Sequence, residues 1–310
     1  MKKALIASTA LILSAGVAAA DISLKGDARM GMVYDGNDVN LTSRARVQFN
    51  MSGSTDTGLE YGASFRAHQA GDASTGRRGS VWMKGEFGKL EFGDADSAAL
   101  VAVPHIHGVG LTGLGDRHEN TFLKVGASAD NPGALYTYTM DGLTFAASFN
   151  DGVEGRGAVG AVDSQGTRTN QAYALGVSYA FDGYKVGLGY ENLRDRSAAK
   201  RATQIIIGGE AKVENATIRA NYGSFNNYSI GGQEAKYQAG ISAAYKLEGG
   251  VDLTGFYRHV EGKTSTIGRY AGIGATYDLG GGAKLNGGIV RRAELGKSDT
   301  VADMGVQFNF

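Results

Sequence analysis

The chain has 310 residues, with 31 basic and 31 acidic side chains, 49 glycines, two prolines and no cysteine. Without cysteine it is neither a disulfide-stapled secreted domain nor a thiolate zinc module, and its balanced charge offers no basic surface for general nucleic-acid binding, so no nucleic-acid partner is expected. Glycine at this level is compatible with disorder, but here it sits among alternating apolar residues with fifteen tyrosines and twelve phenylalanines, a composition that disordered chains lack.

Residues 1–20 begin with Lys2 and Lys3, run through an apolar stretch from Ala4 to Val17 and end on Ala18-Ala19-Ala20 ahead of Asp21. This pattern reads as a signal peptide cut after Ala20, because the apolar stretch falls short of the ~20 residues that a membrane-crossing helix needs. The mature chain, residues 21–310, is then exported as one domain.

From Ile22 onward the apolar residues recur with a period of two, which marks strands with one apolar and one polar face. The first, about Ile22 to Tyr34, sets Leu24, Ala28, Met30 and Met32 against Lys25, Asp27 and Arg29. The second, about Asn40 to Met51, sets Leu41, Ala45, Val47 and Phe49 against Arg44, Arg46 and Gln48, and Leu59 to His68 sets Leu59, Tyr61 and Phe65 against Glu60, Arg66 and His68. Val81–Phe87 and Lys89–Gly93 complete a first group of five. Eleven more centre on Tyr136, Phe145, Val177, Leu188, Ile207, Ile218, Ile241, Leu253, Ile273, Leu285 and Val306, the last ending on the aromatic Phe310.

Tight connections (Gly88-Lys89, Asp141-Gly142, Asp182-Gly183, Glu248-Gly249-Gly250, Gly280-Gly281-Gly282) alternate with longer polar ones (Gln69 to Ser80, Asn150 to Asn170, Asn192 to Ala202, Tyr222 to Glu234). An even number of one-sided strands with short turns at one end and longer loops at the other predicts an all-β fold, a 16-stranded antiparallel transmembrane β-barrel with its apolar faces toward lipid. A soluble sandwich explains neither the asymmetry nor how so many one-sided strands would be covered, whereas closure removes every sheet edge.

Several local patterns carry no chemistry. Gly108–Gly113 spells the GxGxxG of dinucleotide sites without the strand before it or the helix after it, and His105, His107 and His118 have neither a cysteine partner nor helical metal-site spacing. No nucleophile motif is present, so no enzyme activity is expected. No cofactor or metal is expected either, and whether a structural calcium is bound is not legible in the residues.

Residues 22–67 (ISLKGDARMGMVYDGNDVNLTSRARVQFNMSGSTDTGLEYGASFRA) and Gly272 to Phe310 resemble the general diffusion porins of alphaproteobacteria, in particular the Rhodobacter type. The resemblance implies a homotrimer of barrels in the outer membrane of a Gram-negative bacterium, in contact with lipid and lipopolysaccharide, passing small hydrophilic solutes and ions through water-filled pores. A substrate-specific channel is the closer rival and a barrel enzyme the more distant one, but most aromatics have outward parity, and inward ones such as Trp82, Phe256 and Tyr270 are too scattered for a sugar slide. The resemblance also implies that the third loop folds inward to narrow the pore. That loop is the segment Asp94 to Asn131, long enough to require a function. Its candidate constriction residues are Asp94, Asp96, His105, His107, Asp116 and Glu119, and no acid lies between Ser97 and Gly115. The facing wall has matching inward parity at Lys25, Arg29, Arg44, Arg46, Arg66 and His68, which strands ~4.8 Å apart can gather into one basic patch, with Glu60, Glu86 and Glu91 as partial counterweights. Weak anion preference follows. Phe310 resembles the terminal assembly signal of such barrels.

Overall fold

A computed structural model describes residues 21–69, 79–123, 133–150, 170–195 and 200–310, with the backbone alone at 153–154 and 167–168. The expected signal peptide, residues 1–20, lies outside the described residues.

Sixteen strands form one closed antiparallel sheet: β1 (Asp21–Tyr34), β2 (Val39–Ser54), β3 (Glu60–His68), β4 (Gly79–Gly85), β5 (Gly88–Gly93), β6 (Gly133–Met140), β7 (Leu143–Asn150), β8 (Asn170–Phe181), β9 (Tyr184–Asp195), β10 (Ala202–Val213), β11 (Ala216–Asn226), β12 (Gln233–Lys246), β13 (Val251–Gly262), β14 (Thr266–Gly280), β15 (Ala283–Glu294) and β16 (Lys297–Asn309). Each pairs with its sequence neighbours, and β1 closes the ring by pairing with both β2 and β16, with Met30 opposite Ser43 on one side and Val306 on the other. Two-residue pieces, Val153–Glu154 with Thr167–Arg168 and Ser229–Ile230 against β12, lie in the loops.

The alternation is inside-out relative to a water-soluble protein. Leu41 is 89% exposed and Ile273 67%, and exposed large apolar residues recur at every second position along the strands. A closed barrel satisfies its backbone within the sheet and leaves this apolar girdle to face lipid. The first and last barrel strands meet at the rim of short turns, where Gly26 and Phe310 exchange backbone hydrogen bonds of 3.2 and 2.9 Å. Two of those turns, Asp141-Gly142 and Asp182-Gly183, hold positive φ at both residues (48° and 81°, 41° and 82°), the mirror-image turn that matches strand twist.

The connections differ from expectation in three places. The β4–β5 turn is at residues 86–87, and Gly88 begins β5. β9 and β11 run on to Asp195 and Asn226, shortening two expected loops. The loop rim also carries tight hairpins at residues 35–38, 263–265 and 295–296. Leu295-Gly296 takes the same left-handed pair, φ 47° and 82°, through a leucine that composition does not flag as a turn former.

The hydrophobic core lies inside the barrel, between the third loop (residues 94–132, described to 123) and the wall. Ala98, Ala99, Val103, Ile106 and Leu123 of the loop are buried there, among Ala174, Ile206, Phe256, Val260 and Val290 of the strands.

Candidate pore constriction

The third loop leaves β5 at Asp94 and enters the lumen through a one-turn helix, α1 (Ala98–Ala102), capped by the Ser97 hydroxyl. The helix lies on β7, β8 and β9. Ser148 of β7 accepts the Ala98 N–H at 2.9 Å, and Lys185 of β9 donates to the Val101 carbonyl at 3.2 Å. Such close approach of a helix backbone to a sheet face requires that the face have no side chains. Glycines 176, 187 and 189 provide this, since a Cβ on Gly189 would stand 2.7 Å from that of Ala99.

The outgoing leg then tracks around the inner wall. Val103 rests on Gly208 of β10, Ile106 on Gly240 of β12, and Val109-Gly110 on Gly274 of β14 and Gly288 of β15. At the tip, Asp303 of β16 accepts three bonds, from the Leu111 N–H (2.9 Å), the Thr112 N–H (2.6 Å) and the Thr112 hydroxyl (2.6 Å), while Arg29 of β1 donates to the Leu111 carbonyl at 3.1 Å. Residues 113–116 reverse the chain with four successive positive φ values. The return leg binds in the opposite order. Arg117 pairs with Glu294 of β15 at 2.9 Å, His118 packs on Phe256 of β13, Thr121 exchanges bonds of 2.9 and 2.8 Å with Gln238 of β12, and the Leu123 N–H reaches Glu191 of β9 at 2.5 Å. Glu191 also accepts the Ser97 hydroxyl, so one buried carboxylate ties the loop's start to its return. Hydrogen bonds to charged groups are worth about 1.5–3 kcal/mol each, and Asp303 and Glu191 are both more than nine-tenths buried. The loop is therefore anchored at both ends of its path.

The GxGxxG run acquires its explanation here. Gly108 lies under the His118 ring and Gly110 under the Asp303 carboxylate, so these glycines give room for close packing within the lumen.

The wall from β1 to β5 is built from long charged side chains. Register places Arg29 opposite Arg44, Asp27 opposite Arg46, Lys25 opposite Gln48, Arg46 opposite His68 and Gln48 opposite Arg66. This assembles the six expected wall residues on three adjacent strands. Asp27 bridges two of them, to Arg44 at 2.9 Å and Arg46 at 2.8 Å, and is the nearest counterweight to the patch. The acids expected in that role are engaged nearer the turn rim: Glu60 with Lys84 at 3.3 Å and Glu91 with Lys89 at 2.5 Å, while Glu86 lies in the β4–β5 turn. Next to the patch, a polar cavity of about 230 Å³ is lined by Gln48, Arg66, Ser80, Glu91 and Asp94, which brings the loop acid Asp94 and the wall acid Glu91 to the same space as the wall base Arg66.

The other loop residues are distributed differently. Asp96, Asp116 and Glu119 are exposed, the last two on the tip's reversal. His107 turns toward the wall, whereas the His105 ring lies between the two legs of the loop. His105 Nδ1 accepts the Asn120 N–H at 2.8 Å, joining the two legs, and the His107 backbone and ring meet Ser242 at 2.9 and 3.0 Å. Burial, then the charges of neighbouring groups including Arg258 and Arg219, lowers His105 to about 4. His107 and His118 are lowered in the same direction, again chiefly by burial. His105 and His107 thus hold the loop as neutral hydrogen-bonding groups, and His118 holds it by ring packing on Phe256.

The anchors Asp303, Glu191, Gln238, Ser242 and Lys185 are the functional residues that strand parity alone does not single out. Their only signal in sequence is a polar residue at inward parity beside an inward glycine or alanine, as in Asp303 and Gly305.

A model of the Gram-negative porin family matches residues 7–295. A curated porin from Rhodobacter capsulatus is 37% identical, covering 94% of this chain and all of its own length. A porin structure refined at 1.8 Å superposes with a TM-score of 0.79 at 35% identity over the same shares, and an engineered porin variant from Rh. blastica shares the fold with a TM-score of 0.68 at 20% identity, covering 94% of this chain and all of that one. A sealed sixteen-strand barrel with an apolar exterior and a loop anchored inside its lumen agrees with these likenesses: the chain belongs to the family of Gram-negative porins, multi-pass β-barrel channels of the bacterial outer membrane.

Proposed function

We propose that small hydrophilic solutes and ions diffuse passively through a water-filled eyelet between the third loop and the wall of Lys25, Arg29, Arg44, Arg46, Arg66 and His68, without covalent chemistry or a resident cofactor. The observation that carries this reading is the asymmetry of the lumen. The loop is anchored along β7–β16 and to β1 by buried bonds, and a charged wall on β1–β3 faces the remaining space. Asp94, Asp96, Asp116 and Glu119 supply the loop's negative charge, so a passing solute experiences a transverse field that disfavours apolar molecules. Four wall arginines against Asp27 favour weak anion selectivity, because fields inside a narrow low-dielectric lumen outweigh the near-zero net charge of the whole chain. Among the inward aromatics, Phe225, Phe256 and Tyr270 are buried, the last two against the loop, which leaves no aromatic slide for a sugar-specific channel.

The working unit in this reading is a homotrimer surrounded by outer-membrane lipid, lipopolysaccharide included, with strands β1–β5 at the subunit interface. β5 has six residues, bounded by a turn and by Asp94. A barrel strand needs about 9–11 residues to cross a bilayer, so this part of the wall calls for protein cover. An outward apolar hollow of about 370 Å³ lined by Met51, Tyr61, Val81, Met83 and Phe92 lies in the same region. Phe310, 82% exposed and stacked on Phe308, is proposed as the terminal signal for assembly. Phe310→Ala is expected to lower the amount of trimer formed in cells more than it lowers the heat resistance of trimer already made, measured on gels of the two preparations.

Planar-bilayer recording in a potassium chloride gradient tests the channel. Stepwise openings with a small zero-current potential on the anion side are expected. Conductance that saturates with one sugar would replace this reading with a substrate-specific channel.

A further inference from the structure

The outer face of β12–β15 combines an apolar groove with glycines that no protein neighbour requires. An apolar groove of about 730 Å³ runs over these four strands, lined by Ala243, Leu253, Ile273, Ala275 and Ile289. Within it, Gly255 and Gly287 have no protein neighbour that demands glycine. A Cβ at Gly255 would come no nearer than 3.7 Å to any atom, and one at Gly287 no nearer than 3.5 Å, with neither residue in the left-handed region. Glycine weakens a strand, so room here is kept at a cost, and the room opens outward.

At the loop end of the groove stand two exposed arginines of outward parity. Arg269 and Arg291 are diagonal neighbours across the β14–β15 pair, because Arg269 faces Ala293 and Arg291 faces Ala271, a separation of ~7–8 Å that one phosphate can bridge. Arg291 is one outward step from Ile289 of the groove, and Arg269 is two steps from Ile273. Their hydrogen bonds are to the hydroxyls of Thr300 (3.4 Å) and Thr266 (3.2 Å), and among the described residues neither arginine forms a salt bridge. The neighbouring acids are engaged elsewhere, Glu261 by His259 at 2.8 Å and Thr266 at 2.9 Å and Asp299 by Arg292.

We propose that this face binds one anionic, phosphate-bearing membrane lipid, with its headgroup phosphate on Arg269 and Arg291 and an acyl chain in the groove below. The charge at the groove's end selects the occupant. An apolar protein surface would bury two unpaired arginines, which is costly, whereas an anionic headgroup neutralises them at the height where headgroups lie, and each basic side chain near a membrane surface contributes about fivefold to binding of anionic lipid. The proposal rests on the outer-membrane location of the chain and makes no use of the eyelet.

The test uses the full mature porin carrying Trp82→Phe, which removes its single tryptophan, and Ile241→Trp as a reporter beside the groove. It is reconstituted in vesicles containing acyl-brominated phosphatidylglycerol or phosphatidylcholine. Phosphatidylglycerol should quench at a mole fraction about fivefold or more below that of phosphatidylcholine. Arg269→Gln with Arg291→Gln should bring the two lipids level, and Gly287→Leu should weaken quenching by both. Equal quenching by the two lipids before the arginines are changed, an undiminished preference after, or subunit crosslinking through Ile273→Cys would each overturn the assignment. Conductance of the same preparations, expected to be unchanged, reports separately on the channel.

Discussion

The lumen has two walls made from one strand pattern. On β8–β10 the inward positions at mid-height are Gly176, Gly187, Gly189 and Gly208, and the third loop lies directly on them. On β1–β3 the inward positions are Lys25, Asp27, Arg29, Arg44, Arg46 and Arg66, with hydrogen-bonded charge in place of packing. The outward faces diverge as well, with tyrosines such as Tyr173, Tyr179, Tyr222 and Tyr245 on the later strands and Ala28, Met30, Ala45, Ala63 and Met83 on the early ones. A barrel strand therefore has two independent faces to specify. Small inward residues make a wall a bed for a loop, and long charged ones make it a surface for ions.

The largest effect expected is from filling the bed. Gly187→Leu drives a side chain into the Ala102 carbonyl and should displace α1, replacing a single conductance level with a broad distribution of levels in single-channel records while the barrel still assembles. Asp303→Ala is expected to do less, since it frees only the tip. Losing three bonds to Leu111 and Thr112, at a net cost of about 1–3 kcal/mol or more for an unsatisfied buried site, should open the segment 111–118 to limited proteolysis and raise current noise.

On the charged wall, changes should alter selectivity and leave the loop in place. Arg44→Gln with Arg46→Gln should move the zero-current potential toward the cation side, and Asp27→Asn should move it the other way, both with normal trimer yield. If neither variant moves it, these groups are not at the constriction and the patch is a solvated face. The smallest effect concerns acid. A docked His105 binds its proton only near pH 4, against about 6.5 for a solvated imidazole. The docked loop therefore binds fewer protons than the undocked one between those values, and docking is at full strength above pH ~6.5 and weakens as pH falls toward 4. Channel closures should become more frequent across that window, and His105→Gln should flatten the profile.

Much of the fold was legible because the bilayer imposes a strict rule. A strand between lipid and water must alternate, and the five expected early strands each overlap a barrel strand while all eleven expected centres from Tyr136 to Val306 lie in one. The inward parity of Arg29, Arg44, Arg46 and Arg66 was legible for the same reason, and register only had to bring them side by side. The connections were less legible: Leu295-Gly296 makes a tight hairpin from strand twist and pairing, without the residues that announce one. What the sequence by itself determined was thus the barrel, its two faces and the charged patch, all properties of local periodicity. Only the tertiary structure decided that Asp27 is the acid that balances the patch, that His105 joins the loop's two legs while His107 turns to the wall, and that Asp303 and Glu191 bind the loop. The Asp303 and Glu191 contacts join residues 68 to 192 positions apart, and no local pattern encodes a partner at that distance.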